Sequence, residues 1–275
     1  MLQLKAKILY NKEVKENYFH LAVQAPKITK EALPGQFLNI KVNDAFQPLL
    51  RRPLSIHRVK GANIELLYEV VGKATRILSQ RKPGGYLDII GPLGNGFDYR
   101  LPITPASPAG GDYRLPILVA GGMGVAPLLF LAEKLVKSGV RSQESGVTNR
   151  ILVLVGAKTK NQITCEKEFK KTGCTVQIAT DDGSKGFRGK VTELLERLPP
   201  TINSQLLTFY ACGPRLMLKE ISRLAKEKNI PAQVSLEEHM ACGIGACLGC
   251  VVNTKEGFKR VCKEGPVFHG DEIIW

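Results

Sequence analysis

Gly121-Gly122-Met123-Gly124-Val125-Ala126-Pro127 follows directly on the apolar run Pro116–Ala120 and opens a stretch of helical periodicity, Ala126–Lys137. Glycines at a strand-to-helix turn let the backbone approach a pyrophosphate, and the N–H groups and dipole of the new helix attract its charge. Pro127 suits the first helical turn, where a missing N–H costs nothing. It also stands where the common G-x-G-x-x-G fingerprint has its last glycine, so on its own the stretch reads equally as a tight turn with no ligand. The downstream pattern decides the fold. Strand Ile151–Gly156, helix Glu166–Thr172, strand Val176–Thr180, helix Val191–Leu198, strand Leu206–Ala211 and helix Pro214–Lys228 alternate in order. Such β-α repeats predict a parallel sheet with helices on both faces, spanning 115–232. A second turn, Ala211-Cys212-Gly213-Pro214, joins the last strand to its helix, and two glycine turns at the carboxyl ends of parallel strands frame a crevice suited to a dinucleotide.

Upstream, residues 1–98 read as short strands between turn signals: Lys5–Asn11, Tyr18–Ala25, Gln36–Val42, Arg52–Val59, Asn63–Val71 and Tyr86–Gly91, with one helix at Ala74–Gln80. Alternation punctuated by Pro34-Gly35 and Pro83-Gly84-Gly85 predicts an antiparallel barrel. Within it, Arg51-Arg52-Pro53-Leu54-Ser55-Ile56 places cations, a proline-fixed extended turn and a hydroxyl on one strand, a combination able to hold a phosphate beside a heterocycle. Thr75 is expected to cap the short helix, whose free N–H groups suit a second phosphate oxygen. Between barrel and sheet, 99–114 reads as a linker or insertion. The hexapeptide Asp98–Ile103 recurs unchanged as Asp112–Ile117, a tandem duplication too short for a solenoid unit.

Toward the C-terminus, Cys242, Cys247, Cys250 and Cys262 follow C-x4-C-x2-C-x11-C within a module assigned to 233–275. The first three match plant-type 2Fe-2S spacing, and the glycine-rich loop between them can wrap an inorganic core and turn its N–H groups toward sulfur. A structural zinc is the competing reading, although zinc sites usually pair two short knuckles. Cys165 and Cys174 read as ordinary thiols and Cys212 as a small apolar side chain or part of the crevice.

The chain has 275 residues, enough for two or three domains, and 44% hydrophobic content, which supports ordinary cores. No apolar run reaches membrane-spanning length and Met1–Lys5 lacks a signal-peptide core. Seven cysteines with no paired framework suit a reducing cytoplasm. The net charge of +14 is spread along the chain without a basic block or an aromatic-studded strand, which argues against nucleic-acid binding. The four histidines, His20, His57, His239 and His269, show no close cluster in sequence.

Together these motifs resemble the ferredoxin-NADP reductase superfamily and, more closely, the family of dihydroorotate dehydrogenase B electron-transfer subunits. The match is carried by Pro34–Phe37, Arg51–Ile56, Gly91–Phe97, Gly121–Pro127, Ala211–Pro214, Ser235–Ala241 and Cys262–Phe268, and so covers essentially the whole chain. The resemblance implies a multidomain β and α/β protein: a flavin-binding antiparallel barrel, a parallel-sheet nucleotide domain and a small 2Fe-2S module. It implies FAD and a 2Fe-2S cluster as cofactors and NAD as co-substrate. Arg52 would pair with the FAD pyrophosphate, with Pro53, Leu54 and Ser55 bordering the isoalloxazine. Tyr68, Glu69 and Val70 would lie against the flavin and ribityl chain, and Ala74 and Thr75 near the diphosphate. Gly121, Gly122 and Gly124 would receive NAD, and Cys212 and Gly213 would flank the nicotinamide. Cys242 and Cys247 would hold one iron, Cys250 and Cys262 the other.

The implied partner is an FMN-containing dihydroorotate dehydrogenase catalytic subunit, two of each chain forming a heterotetramer, in pyrimidine (UMP) biosynthesis. No residue here is expected to transfer protons. Two departures stand out: Glu69 lies where relatives commonly have arginine, and Ala74 replaces a glycine. Glu69 is expected to face solvent or a lysine. An NADPH-dependent ferredoxin or sulfide reductase subunit shares the architecture, but such relatives typically put aspartate at the position of Cys242. A non-redox basic binding protein is the reading furthest from these motifs. Lys158 and Lys160 leave NAD against NADP open.

Overall fold

A computed structural model describes residues 1–99, 115–138, 151–198 and 207–275, so most of the 99–114 segment and of the duplicated hexapeptide lies outside the described residues. The chain packs as two compact units, one formed by 1–96 with 237–267 and the other by 97–236 with 268–275.

The first unit is a closed six-stranded barrel in the order β1-β2-β5-β4-β3-β6. It is built from β1 (Leu2–Lys15), β2 (Tyr18–Gln24), a single-turn α1 (Pro26–Thr29), β3 (Phe37–Lys41), β4 (Arg52–Lys60), β5 (Asn63–Glu69), α2 (Lys73–Ser79) and β6 (Tyr86–Leu93). All its pairings are antiparallel. The first strand runs longer than Lys5–Asn11 because it has two jobs: Leu2–Lys7 pairs with β6, and Lys7–Lys15 with β2, which closes the barrel and removes its edges. Ile8, Leu21, Val23, Leu38, Ile40, Ile56, Ile64, Leu66 and Leu87 fill the core with essentially no exposure.

The histidines do not all stand apart. A bulge between Ile56 and Arg58 breaks the β4 register and buries His57, whose ring meets that of His20 edge to face with centroids 5.5 Å apart. Both strands flank β5, a proximity hidden by their separation in sequence. His20 Nε2 lies 3.2 Å from Glu65, and Lys60 Nζ lies 3.1 Å from its other oxygen. Burial opposes ionisation of Glu65, yet these hydrogen bonds and charges bring its carboxyl down to about 2.

The second unit holds a seven-stranded sheet ordered β10-β9-β8-β7-β11-β12-β15. Its elements are β7 (Leu115–Gly121), α3 (Val125–Lys137), β8 (Leu152–Ala157), α4 (Glu166–Lys171), β9 (Thr175–Thr180), β10 (Phe187–Arg188), α5 (Val191–Glu196), β11 (Leu207–Cys212), α6 (Arg215–Glu227) and β12 (Ala232–Ser235). The chain returns to this sheet at β15 (Val267–His269), after the hairpin β13 (Val251–Thr254) and β14 (Gly257–Arg260). Every pair from β10 to β12 is parallel, as the β-α rhythm requires. Ile117, Leu118, Val119 and Ala120 are wholly buried, the mark of a central strand covered on both faces. Strand order reverses between β7 and β11, which makes their carboxyl ends the switch point of the sheet.

Glu65 yields a pH test. Its folded carboxyl ionises below the roughly 4.3 of a free glutamate, so its stabilisation is complete above that pH and is lost as pH falls toward its folded value. Glu65→Gln should lower stability at neutral pH by roughly 1–3 kcal/mol, measured by thermal unfolding. The gap from wild type should narrow from about pH 5 downward and close only as pH falls through about 2; a gap independent of pH would contradict the pairing.

Candidate functional site

The four cysteines are gathered by two local devices. Residues 236–250 contain no helix or strand, and Gly243 and Gly245 turn the chain with φ of 68° and 83°. A Cβ at Gly243 would lie 2.3 Å from Asn39 Nδ2, the atom that donates a 3.0 Å hydrogen bond to the Cys242 carbonyl. The loop can rest on β3 only with glycine there. The second device is the β13–β14 hairpin, which pairs Val251 with Arg260 and lets Val261 N–H donate to the Cys250 carbonyl at 2.9 Å. The long spacing before the fourth cysteine is therefore the length of one hairpin folding Cys262 back onto Cys250.

The sulfurs form two pairs. Those of Cys242 and Cys247 are 3.3 Å apart, and Cys262 hydrogen-bonds with Cys250. Gly245 N–H donates to Cys262 Sγ at 3.1 Å and Cys247 N–H to Cys242 Sγ at 3.4 Å. Burial opposes ionisation of Cys242, but N–H donors from Cys247, Ile244 and Ala246 and the Cys247 thiol bring it down to about 6. Burial and the neighbouring Cys250 push Cys262 the other way, up to about 12. Thiols so crowded cannot all ionise unaided, and a cationic core bound to thiolates is what this donor set fits.

At the start of β4, Arg52, Pro53, Leu54 and Ser55 are all partly exposed, where an ordinary barrel strand would alternate. The two arginines divide. Arg51 is held by Asp88, donating to its carbonyl and its carboxylate, both at 2.9 Å. Arg52 donates only to the nearby Leu50 and Arg51 carbonyls among its described hydrogen bonds. Tyr68 is part of the barrel wall: it is 2% exposed, stacks on Phe19 and donates to Asn11 Oδ1 at 3.0 Å. Glu69 is partly exposed, and its cross-strand neighbour Tyr18 hydrogen-bonds with it. Val70 is half-buried, and its N–H donates to Asn17 O at 2.8 Å. The N-cap position of α2 is Gly72, and Thr75 caps the helix from the third helical position. Thr75 sits a turn in and folds its hydroxyl back to accept from Val71 and Gly72 N–H at 3.1 and 3.2 Å, and Ala74 beside it is buried.

In the second unit the two glycine turns sit on adjacent strands at the switch point and pack backbone against backbone. A Cβ at Gly124 would lie 1.9 Å from Cys212 O; one at Gly121 would lie 2.7 Å from Pro214 Cδ; one at Gly213 would lie 2.9 Å from Gly121 Cα. Gly122 differs, with φ of 53° and no atom within 4 Å of its would-be Cβ. Gly121, Gly124 and Gly213 thus bring the turns together, and Gly122 leaves an open face.

Several site residues carried no signal of their own in the sequence. Asn39 is 1% exposed on β3 and looks like any strand residue until its bond to Cys242 is seen. Asn95 donates to Gly265 O (2.6 Å, N–H) and Glu264 O (2.9 Å, side chain), and a Cβ at Gly94 would strike Pro266 and Gly265. Gly94-Asn95 and Glu264-Gly265-Pro266 are thus two faces of one contact that seats the cysteine segment on the barrel. Arg260 and Glu264 pair beside the same loop.

A closed barrel with an exposed stretch at the start of β4, a parallel sheet with a nucleotide-type switch point and four paired thiols define an iron–sulfur flavoprotein of the ferredoxin-reductase type. Residues 118–223 match the oxidoreductase NAD-binding domain family, and 237–274 match the iron–sulfur cluster binding domain of dihydroorotate dehydrogenase B. The chain belongs to the family of dihydroorotate dehydrogenase B (NAD+) electron transfer subunits. It is 41% identical to that of Desulforamulus reducens, over 98% of this chain and 97% of the other. It is 38% identical to that of Geobacillus thermodenitrificans, over 97% and 96%. Among solved structures, the NADH-dependent reduced ferredoxin-NADP oxidoreductase studied for flavin-based electron bifurcation superposes with a TM-score of 0.79 at 28% identity, covering 99% of this chain and 90% of that one. A ferredoxin NADP+ reductase from Neisseria gonorrhoeae, with bound FAD and NADP, shares the fold at a TM-score of 0.63 and 15% identity, over 82% and 91%.

The glycine geometry separates two otherwise similar substitutions. Gly124→Ala forces carbonyl and side chain together and should cost about 3 kcal/mol. Gly122→Ala strains only its own backbone and should cost roughly 1–2 kcal/mol. Thermal unfolding without nucleotide measures both; equal losses would contradict the backbone-on-backbone packing.

Proposed function

We propose that this chain is the electron-transfer subunit linking an FMN-containing dihydroorotate dehydrogenase catalytic subunit to NAD+ by way of a 2Fe-2S cluster and FAD, in pyrimidine synthesis. The observation that carries the reading is the paired-thiol loop seated on the barrel unit that also presents the exposed Arg52–Ser55 edge. Membership of the family along the full chain supports it. FAD, when bound, supplies the change from the hydride pair exchanged with NAD to the single electrons an iron–sulfur cluster carries.

The protein's part is to hold and orient. Arg52, whose neighbour Arg51 is already committed to Asp88, would pair with the FAD pyrophosphate, and Ala74 and Thr75 of α2 would lie near the same diphosphate. Pro53, Leu54 and Ser55 border the ring system. Tyr68, buried in the barrel wall, and Val70 would lie against the flavin and ribityl chain. Glu69, tied to Tyr18, is kept from the diphosphate that a carboxylate would repel. Gly122 offers its open backbone to the NAD pyrophosphate, and Cys212 and Gly213 flank the nicotinamide. Cys242 with Cys247 would hold one iron and Cys250 with Cys262 the other, and the N–H groups of Gly245 and Cys247 already donate to sulfurs of these pairs.

The partner catalytic subunit and an assembly of two of each chain come from the family reading, as does a cytoplasmic setting. Among the described residues no helix is long and apolar enough to cross a membrane.

Anaerobically purified protein combined with its catalytic subunit should reduce NAD+ in a dihydroorotate-dependent manner. Cys250→Ser should remove cluster absorption and that activity while flavin absorption and NADH-dependent dye reduction persist; unchanged dihydroorotate-linked reduction would overturn the relay. Separately, Arg52→Ala should weaken FAD retention about tenfold or more, equivalent to roughly 1.4 kcal/mol, and Arg51→Ala should act on stability instead. The reverse ranking would refute the assignment of the two arginines.

A further inference from the structure

Arg260, the last residue of β14, lies outside the cysteine set yet is wired into it. Its Nη1 donates to the Gly245 carbonyl at 2.6 Å. That carbonyl belongs to the same peptide group as the Ala246 N–H, which donates to Cys242 sulfur. Gly245's own N–H donates to Cys262 Sγ at 3.1 Å. One guanidinium therefore fixes the residue whose flanking peptides reach a sulfur of each cysteine pair. Its bond to the carbonyl also polarises the Gly245–Ala246 peptide and strengthens that group's N–H as a donor.

The other side of Arg260 is clamped by Glu264. Nε meets Oε2 at 3.1 Å, Nη2 meets Oε1 at 2.5 Å, and Arg260 N–H donates to Oε2 at 2.7 Å. The Lys263 stem lies over Gly245, where a Cβ would come within 2.7 Å of Lys263 Cδ and where the φ of 83° favours glycine. The guanidinium is close enough to Cys250 and Cys262 to feel their charge.

We propose that Arg260 is a positioning residue that raises the reduction potential of the iron–sulfur site, by aiming two loop N–H groups at the cysteine sulfurs and by holding a cation beside them that Glu264 partly offsets. This rests on the reading that the four cysteines hold a 2Fe-2S cluster. Reduction adds one negative charge to a cluster already carrying thiolate charge. Hydrogen bonds to sulfur and nearby positive charge favour the reduced form, and a neighbouring carboxylate disfavours it.

The two members of the pair must then act with opposite sign. In full-length protein carrying FAD and cluster, the test is a reductive titration followed by the cluster's EPR signal. Arg260→Gln should reduce the reduced-to-oxidised ratio at a fixed potential about tenfold, a shift of about 59 mV to more negative potential for a one-electron couple. Arg260→Lys keeps the charge but loses the fork and should fall between. Glu264→Gln leaves the guanidinium less neutralised and should move the potential upward. Iron and sulfide analysis of wild type comes first: wild-type protein without iron would sink the cluster reading itself. With the cluster present, potentials that stay put, or that move the same way in the Arg260 and Glu264 variants, would overturn this inference in favour of a structural clamp. Should Arg260→Gln fail to retain the cluster, Arg260→Lys and Glu264→Gln decide by the same opposition of sign.

Discussion

Four thiols held within reach of one another inside a protein cannot all carry charge unless something positive lies among them. That electrostatic constraint organises the first unit of this chain. Loop N–H groups bring Cys242 down to about 6, while burial first, and the neighbouring Cys250 after it, push Cys262 up to about 12. The protein answers part of the problem with N–H groups from Gly245, Ala246 and Cys247, and the rest falls to the metal core. The glycines, the hairpin, Asn39 and the Asn95 contact all serve to keep the sulfurs where that demand is greatest.

A second economy of design runs through the cofactor-binding edges: near neighbours are given different work. Arg51 is locked into the barrel by Asp88, and Arg52 beside it is left on the exposed edge. Gly121 and Gly124 are consumed by the close approach of two turns, and Gly122 between them stays open. Tyr68 and Glu69 follow the same pattern, the first buried in the wall and the second tied to Tyr18. In each case the motif names the neighbourhood, and packing decides which member meets the ligand.

The fold was legible because its signals are periodic and local. The alternation of β1–β6 and the β-α rhythm after Leu115 survive in the structure with boundaries moved by a few residues. The cysteine spacing likewise has a local cause, a loop and a hairpin. What remained hidden depends on contacts between distant segments. Nothing around Asn39 hints at Cys242, some two hundred residues away in sequence, and no spacing rule brings His20 beside His57 across β5. The cysteines marked out 233–275 as a module, but no sequence signal shows how its parts pack: 237–267 packs with the barrel, while β12 and 268–275 join the sheet unit. The Tyr18–Glu69 contact was hidden for the same reason, because register is not written in a single strand.

The account stands or falls on what neutralises the thiols. Metal, acid-labile sulfide and flavin analysis of the anaerobically purified full chain, read together with its visible spectrum, addresses this directly. Iron and sulfide in equal amounts, with FAD bound to the same protein, is the result expected from paired sulfurs seated on a flavin barrel. A colourless preparation containing zinc and neither iron nor sulfide would contradict it.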